Sequence, residues 1–247
     1  MTTTTTKTRT LIVNADDFGL SPGVNAGIIE AHERGIVTSA SLMVRWPAAD
    51  DAADYARRSS TLGVGLHLDL GEWRFEQGEW RSVYEVVPED DAAAVAGEIN
   101  AQVEAFRALV GRDPDHLDSH QHAHTREPAL LEARATAERL GIPLRRFSAA
   151  HYCGDFYGQT TEGRSMPQAV TVQSLLAILE EIAGADEDVV ELCCHPARGD
   201  DLGTLNTMYR DERAIELAAL CDPAVRQAID RFGIKLCTFA ACGGGRR

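Results

Sequence analysis

The chain reads as an α/β domain of parallel strands, of the kind that closes into a barrel. Three observations predict this. Short apolar runs alternate with stretches of helical periodicity along almost the whole sequence. A helix between successive strands implies parallel βαβ units. A length of 247 residues, 44% hydrophobic and 25% charged, suits one barrel of about 250 residues.

Residues 10–15 form a first strand that opens into the polar turn Asp16-Asp17-Phe18-Gly19. Val24, Ile28, Ile29 and Ala31 then recur at helical spacing up to Gly35, a helix stop. A strand at 39–44, a helix at 48–60 and a strand at 62–70 follow. Residues 91–110 read as an amphipathic helix closed by Gly111, 117–120 as strand, 127–140 as helix and 144–147 as strand. The segment 148–168, rich in Gly, Tyr and polar residues, has no periodicity. A helix at 171–183 and a buried strand, Val189–Cys194, come next, then helices at 211–219 and 223–231 and a last strand at 234–239. No repeat, linker or glycine-rich phosphate loop interrupts the pattern. Residues 1–247 are therefore expected to form one domain, with flexible tails at 1–9 and 243–247.

Thirty-eight acidic against 24 basic residues give a formal charge of −14. A field of that sign repels nucleic-acid backbones and anionic lipid, and is compatible with a neutral substrate and a nearby divalent cation. The opening Met1-Thr2-Thr3-Thr4-Thr5-Thr6-Lys7 is polar, and Leu11-Ile12-Val13 is too short for a leader or a span, so a cytoplasmic protein without membrane attachment is expected. Exposed apolar helix faces would permit a homodimer. The six cysteines show no C-x-x-C spacing, and Cys193-Cys194 lie in an apolar run; all six are expected to behave as small hydrophobes.

Four polar clusters fall at the C-terminal ends of strands, which in a parallel barrel share one rim. They are 14–17, 65–69, 116–124 and 191–196. Of the adjacent pair Asp16-Asp17, one carboxylate can ligate a metal while the other stays free as a base; alone, Asp17 reads equally as a helix cap. His67 shares a strand face with Gly65, leaving space beside its imidazole, although a lone histidine there reads more simply as core. His116, Asp118 and His120 alternate onto one strand face, where a carboxylate can accept the second N–H of a ligating imidazole. His122 and His124 fall in the loop beyond, and His120, His122 and His124 could themselves form a ligand set. His195, before Pro196, suits proton transfer. One Asp and two His with an open fourth position are catalytic-metal stoichiometry, suited to zinc and open to magnesium, manganese or cobalt. Arg145, at a strand end, lowers the pKa of Asp16, binds substrate, or forms a surface ion pair.

The run 11–21, with Gly23, Asn25, 27–31, 35–39, 65–68, 116–124 and His195-Pro196, resembles the YdjC-type carbohydrate deacetylases, the family of chitooligosaccharide deacetylase. The resemblance spans nearly the whole chain in order. It implies a distorted (β/α) barrel, TIM-barrel-like and related to polysaccharide deacetylases, that hydrolyses an acetamido group on a small carbohydrate. It further implies Asp16 as base, Asp17, His67 and His120 as ligands of one divalent ion, Mg2+ or Zn2+, and His195 as general acid. Two local departures bear on the substrate: no Thr follows the His67 strand, and 72–88 is short and carries Trp73, Phe75, Trp80 and Tyr84, which either stack on sugar or pack a loop cover. A metal-dependent phosphoesterase and a catalytically silent sugar-binding protein are the competing readings.

Overall fold

The structure, a computed structural model, describes residues 9–199, 201, 203 and 206–242. At its centre is β1 (Thr10–Phe18), buried along nearly its entire length. Around it the chain lays down β2 (Ser39–Leu42), β3 (Gly63–Leu68), β6 (Leu117–Ser119), β7 (His151–Cys153), β8 (Val189–Cys194) and β9 (Lys235–Leu236). The sheet order is β6-β3-β2-β1-β8-β7, every neighbouring pair parallel, with β9 against the start of β1. A separate antiparallel hairpin consists of β4 (Gly71–Glu76) and β5 (Glu79–Glu85).

The helices are α1 (Pro22–Glu33), α2 (Ala49–Arg58), α3 (Ala92–Val110), α4 (Ala129–Leu140), α5 (Val172–Gly184), α6 (Asp211–Leu220), α7 (Pro223–Phe232) and the short α8 (Phe239–Cys242). Local chemistry sets their ends. Ser21 caps α1, with its hydroxyl accepting from the Val24 N–H and Pro22 at the first position. Asp91 caps α3, which closes on Gly111 at φ 79°, a left-handed conformation that glycine adopts without a Cβ clash. The inward stripe of α3, Val95, Ile99, Val103, Phe106 and Val110, follows the helical repeat. Strands β1, β2 and β3 are buried on both faces, as expected when helices cover a parallel sheet. The sheet curls as a distorted, incompletely laddered barrel.

Several sequence expectations change. Residues 144–147 are not a strand: Leu144 makes a single parallel bridge to Leu117, and the chain then turns. The aperiodic stretch 148–168 contains β7, and the stretch after β3 contains the hairpin. β7 has only three residues and β5 is largely exposed, so neither carries an apolar alternation to read. His120 leaves the strand and enters a 3-10 turn, His120–Thr125, and the last strand shrinks to β9 before α8 begins. Cys237 and Cys242 are joined by a disulfide, against the expectation of six reduced cysteines; the other four are free. The expected tails at 1–8 and 243–247 lie outside the described residues. Arg9 is not loose: its guanidinium donates to the Ala185 carbonyl and its own carbonyl accepts from Lys235. Among the described residues no helix is long and apolar enough to cross a membrane.

Candidate functional site

β1 delivers the first two side chains. Between the pairings Ala15–Ala40 and Phe18–Leu42 it holds one residue more than β2, a bulge at Asp16-Asp17. Asp17 stands there at φ 69°, in the left-handed region that is strained for a residue with a Cβ. Consecutive residues of a regular strand face opposite ways. The bulge instead brings both carboxylates to one cavity of about 280 Å³, which His67, His120, His195 and Arg213 also line.

Asp17 Oδ1 lies 3.4 Å from His67 Nε2 and 3.2 Å from His120 Nδ1. The ligand atoms of these three residues all fall within 4.8 Å of one another. Two ligands bound at about 2.1 Å to one ion at tetrahedral or octahedral angles sit roughly 3.0–3.4 Å apart, so the spacing fits a divalent metal. The donor chemistry fits as well: one carboxylate oxygen, two imidazole nitrogens and an open cavity. His122 and His124 join no ligand grouping among the described residues. His122 meets the Tyr152 hydroxyl at 3.2 Å, and His124, fully buried rather than at the rim, pairs its Nδ1 with Ser119 Oγ at 2.6 Å.

Each first-line residue has a support. Asp118 Oδ1 is 2.8 Å from His67 Nδ1. The space beside Gly65 does not face His67; a Cβ there would sit 2.4 Å from the ring of His116. That ring stacks on Phe239 and shares the Ser41 hydroxyl with Asp118. Arg145 is 1% exposed, which overturns the surface ion pair. Its Nη1 and Nη2 each lie 2.7 Å from an oxygen of Asp16, Nη2 reaches Asp118 at 2.8 Å and Nε reaches Glu191 at 2.6 Å. His195 Nε2 is 3.9 Å from Asp16 Oδ2.

Four further contributors were not visible as motifs. Arg213 Nη2 holds Asp17 Oδ2 at 2.5 Å. Glu216 accepts the backbone N–H of His195 at 2.5 Å and the hydroxyl of Tyr209. Glu72 points at His120, with Oε2 3.6 Å from Nε2. Gln121 takes the Trp73 N–H at 2.9 Å and donates to the Trp73 carbonyl at 2.8 Å, clamping the hairpin to the His120 turn. One signal was present: the inward positions of α6 are Glu212, Arg213, Glu216, Ala219 and Leu220, a helical stripe in which three of five positions are charged.

The family described as YdjC-like protein matches residues 10–231. The chain belongs to that family. A carbohydrate deacetylase from Brevibacillus brevis is 37% identical over 254 residues, covering 94% of this chain and 99% of the relative. A chitooligosaccharide deacetylase from Salmonella paratyphi B is 34% identical over 260 residues, covering 94% and 98%. The crystal structure of a proposed cellobiose-phosphate cleavage protein from Enterococcus faecalis superposes with a TM-score of 0.78 at 29% identity, over 95% of this chain and 99% of that one. A family 4 carbohydrate esterase from Streptomyces lividans, in complex with acetate, shares the fold with a TM-score of 0.55 at 13% identity, over 93% and 91%.

The electrostatics of this YdjC-like site separate its groups. Burial pushes the Asp16 carboxyl up, but Arg145 outweighs it and leaves the pKa below the usual value. Burial likewise opposes ionisation of Asp17, yet Arg213 and the two histidines hold it well below the carboxylate range. Burial disfavours charge on His67, whereas Asp118 and Asp16 favour it, and the balance lifts its pKa to about 9. His195 goes the other way: burial lowers it to about 4 despite Asp16, so it is neutral at pH 7.

A second cavity of about 650 Å³ adjoins the first and shares Gln121, His122, Tyr157 and Met208 with it. Trp73 and Trp80 form part of its wall, so two of the hairpin aromatics face open space. Trp80 is 52% exposed, braced edge-on by Phe75. Tyr84 packs inward, donating to Asp69 at 2.8 Å.

Proposed function

We propose that this chain is a metal-dependent carbohydrate deacetylase that releases acetate from an acetamido sugar and leaves a free amine. The observation that carries the reading is the placement of Asp16 and His195 on one cavity with the Asp17–His67–His120 group. The names of the Brevibacillus and Salmonella relatives support the same substrate class.

Asp17, His67 and His120 would hold one divalent ion, zinc or magnesium, which supplies Lewis acidity toward a carbonyl and makes water a stronger acid. Asp16 is the base in this reading. Its carboxylate is kept ionised and aimed by Arg145, and it accepts the proton of the attacking water. Because Arg145 also weakens its basicity, Asp16 holds that proton only transiently. His195, neutral at rest and 3.9 Å away, takes the proton on and delivers it to the departing amine nitrogen as the C–N bond breaks. Asp118 fixes the His67 tautomer through Nδ1, leaving Nε2 as the ligand atom. The adjoining cavity, with aromatic faces at Trp73, Trp80 and Tyr157 and polar groups such as Gln159 between them, suits further sugar rings.

The test is acetate release from N-acetylglucosamine oligomers by protein stripped with chelator and then resupplied with Zn2+ or Mg2+. Release that depends on the ion supports the assignment. Hydrolysis of p-nitrophenyl phosphate without any acetate release would make the chain a phosphoesterase instead, and saturable sugar binding without turnover would make it a silent binder.

A further inference from the structure

We infer that Glu72 is the positioning residue of His120: its carboxylate accepts a hydrogen bond from Nε2–H, so that His120 meets the metal through Nδ1. The inference rests on the metal reading above and adds a residue and a tautomer to it.

The two histidines of the group are mirror cases. His67 turns Nδ1 to Asp118 at 2.8 Å and Nε2 toward Asp17 Oδ1. His120 turns Nδ1 toward the same Asp17 oxygen, at 3.2 Å, which leaves Nε2 facing away from the group. That nitrogen is buried and has no hydrogen-bond partner. The nearest carboxylate is Glu72, whose Oε2 stands 3.6 Å off. Glu72 is itself only 3% exposed, and its Oε1 also lacks a partner. Among the described residues His120 is the one basic side chain within 4.0 Å of it. A carboxylate removed from water with so little in return is expensive unless it faces a donor, and the imidazole N–H is the donor at hand. Loading Nδ1 with an ion fixes the remaining proton on Nε2 and lets the 3.6 Å gap close to a hydrogen bond.

The backbone is built to hold Glu72 there. The β4–β5 ladder slips register between Glu72 and Trp73, which re-aims the side chain at that point. Gly71 before it admits no Cβ, since one would meet the Trp73 ring at 2.8 Å and the Tyr84 carbonyl at 2.9 Å. Gln121 then ties both backbone groups of Trp73 to the turn that carries His120. Glu72 and His120 are thus fixed relative to each other by contacts that do not involve either side chain. The hairpin thereby becomes a wall of the metal site.

Nitrogen-15 NMR of the zinc-loaded protein reads the tautomer directly. The expected result is a protonated Nε2 and a zinc-bound Nδ1 on His120, and the opposite arrangement on His67. Zinc titration followed by calorimetry should show Glu72→Ala and Asp118→Asn each weakening affinity by about 10–100-fold, with the milder Glu72→Gln in between. A zinc-bound Nε2 on His120, or wild-type affinity in folded Glu72→Gln and Glu72→Ala, overturns the role of Glu72 and leaves the metal reading standing. Failure of the wild-type protein to bind zinc or magnesium at all overturns both.

Discussion

Arg145 grips Asp16 through both oxygens, each 2.7 Å from a guanidinium nitrogen, while the same guanidinium also reaches Asp118 and Glu191. Three carboxylates therefore share one buried cation, and its removal leaves them to repel one another. Arg145→Met is expected to lose about 3–5 kcal/mol of stability, read from denaturant unfolding. In whatever fraction folds, the pKa of Asp16 rises, because its main counter-charge is gone. A base must be deprotonated to act, so the acidic limb of kcat/KM moves to higher pH. An unshifted limb would show that Asp16 is not the group titrating there.

The proposed function gives the two neighbouring aspartates separable tasks. Asp16→Asn should keep its metal and lose turnover by about 100-fold or more, the scale of general base catalysis. Asp17→Asn should lose the metal first, as should His67→Ala and His120→Ala. Metal content measured beside acetate release distinguishes the two outcomes, and a metal-free Asp16→Asn with a metal-replete Asp17→Asn would reverse the roles.

Glu216 supplies a pH signature of its own. Burial pushes its pKa up to about 8, against the ordinary 4.5 of an unfolded glutamate. Between those values the folded form binds more protons than the unfolded chain, so this group stabilises most below about pH 4.5 and its contribution is lost as pH rises toward 8. Glu216→Gln can still accept the His195 N–H and lacks that loss. The melting temperature of the variant relative to wild type should therefore climb by several degrees from pH 5 to pH 8. A constant difference would mean that Glu216 ionises in the fold without penalty.

Much of the candidate site was legible because its side chains sit where parallel strands end. Asp16, Asp17, His67, Asp118 and His195 lie on or just past β1, β3, β6 and β8, and apolar runs mark those strands clearly. His120, one residue past β6, came with them. Arg145 could be placed beside Asp16 as one option, but its burial could not, since an arginine after a weak apolar run reads as surface. Arg213, Glu216 and Glu72 were invisible for a different reason. They come from a helix face and from a hairpin set apart from the main sheet, and tertiary packing alone brings them to the rim.

Trp80 is the cheapest probe of how far the substrate extends. Trp80→Ala removes an exposed aromatic face from the adjoining cavity and touches nothing in the Asp17 group. The KM for a chitooligosaccharide dimer or trimer should rise about 5–10-fold, the scale of one lost stacking contact of 1–1.5 kcal/mol. Whatever turnover the monosaccharide shows should stay unchanged. Equal effects on both would place the reacting sugar, not its neighbour, on the indole.

The clamp between Gln121 and Trp73 should be visible without any substrate. Gln121→Ala deletes two hydrogen bonds of about 1 kcal/mol each. Hydrogen exchange at the Trp73 amide should then accelerate markedly, with smaller changes in the strands of the main sheet. Unchanged exchange would mean that the hairpin is held by its aromatic packing alone.

The bulge at Asp16-Asp17 has a consequence for how this centre can be altered. The two carboxylates are carried by adjacent residues on one strained turn of backbone, so neither can be displaced without dragging the other. Under the proposed function, a shift that brings the Asp16 carboxylate closer to the substrate would equally retune the grip of Asp17 on the ion. Selectivity for a new acyl group has to be sought in the surrounding walls, which come from the hairpin and from α6, while the pair itself behaves as a single part with one setting.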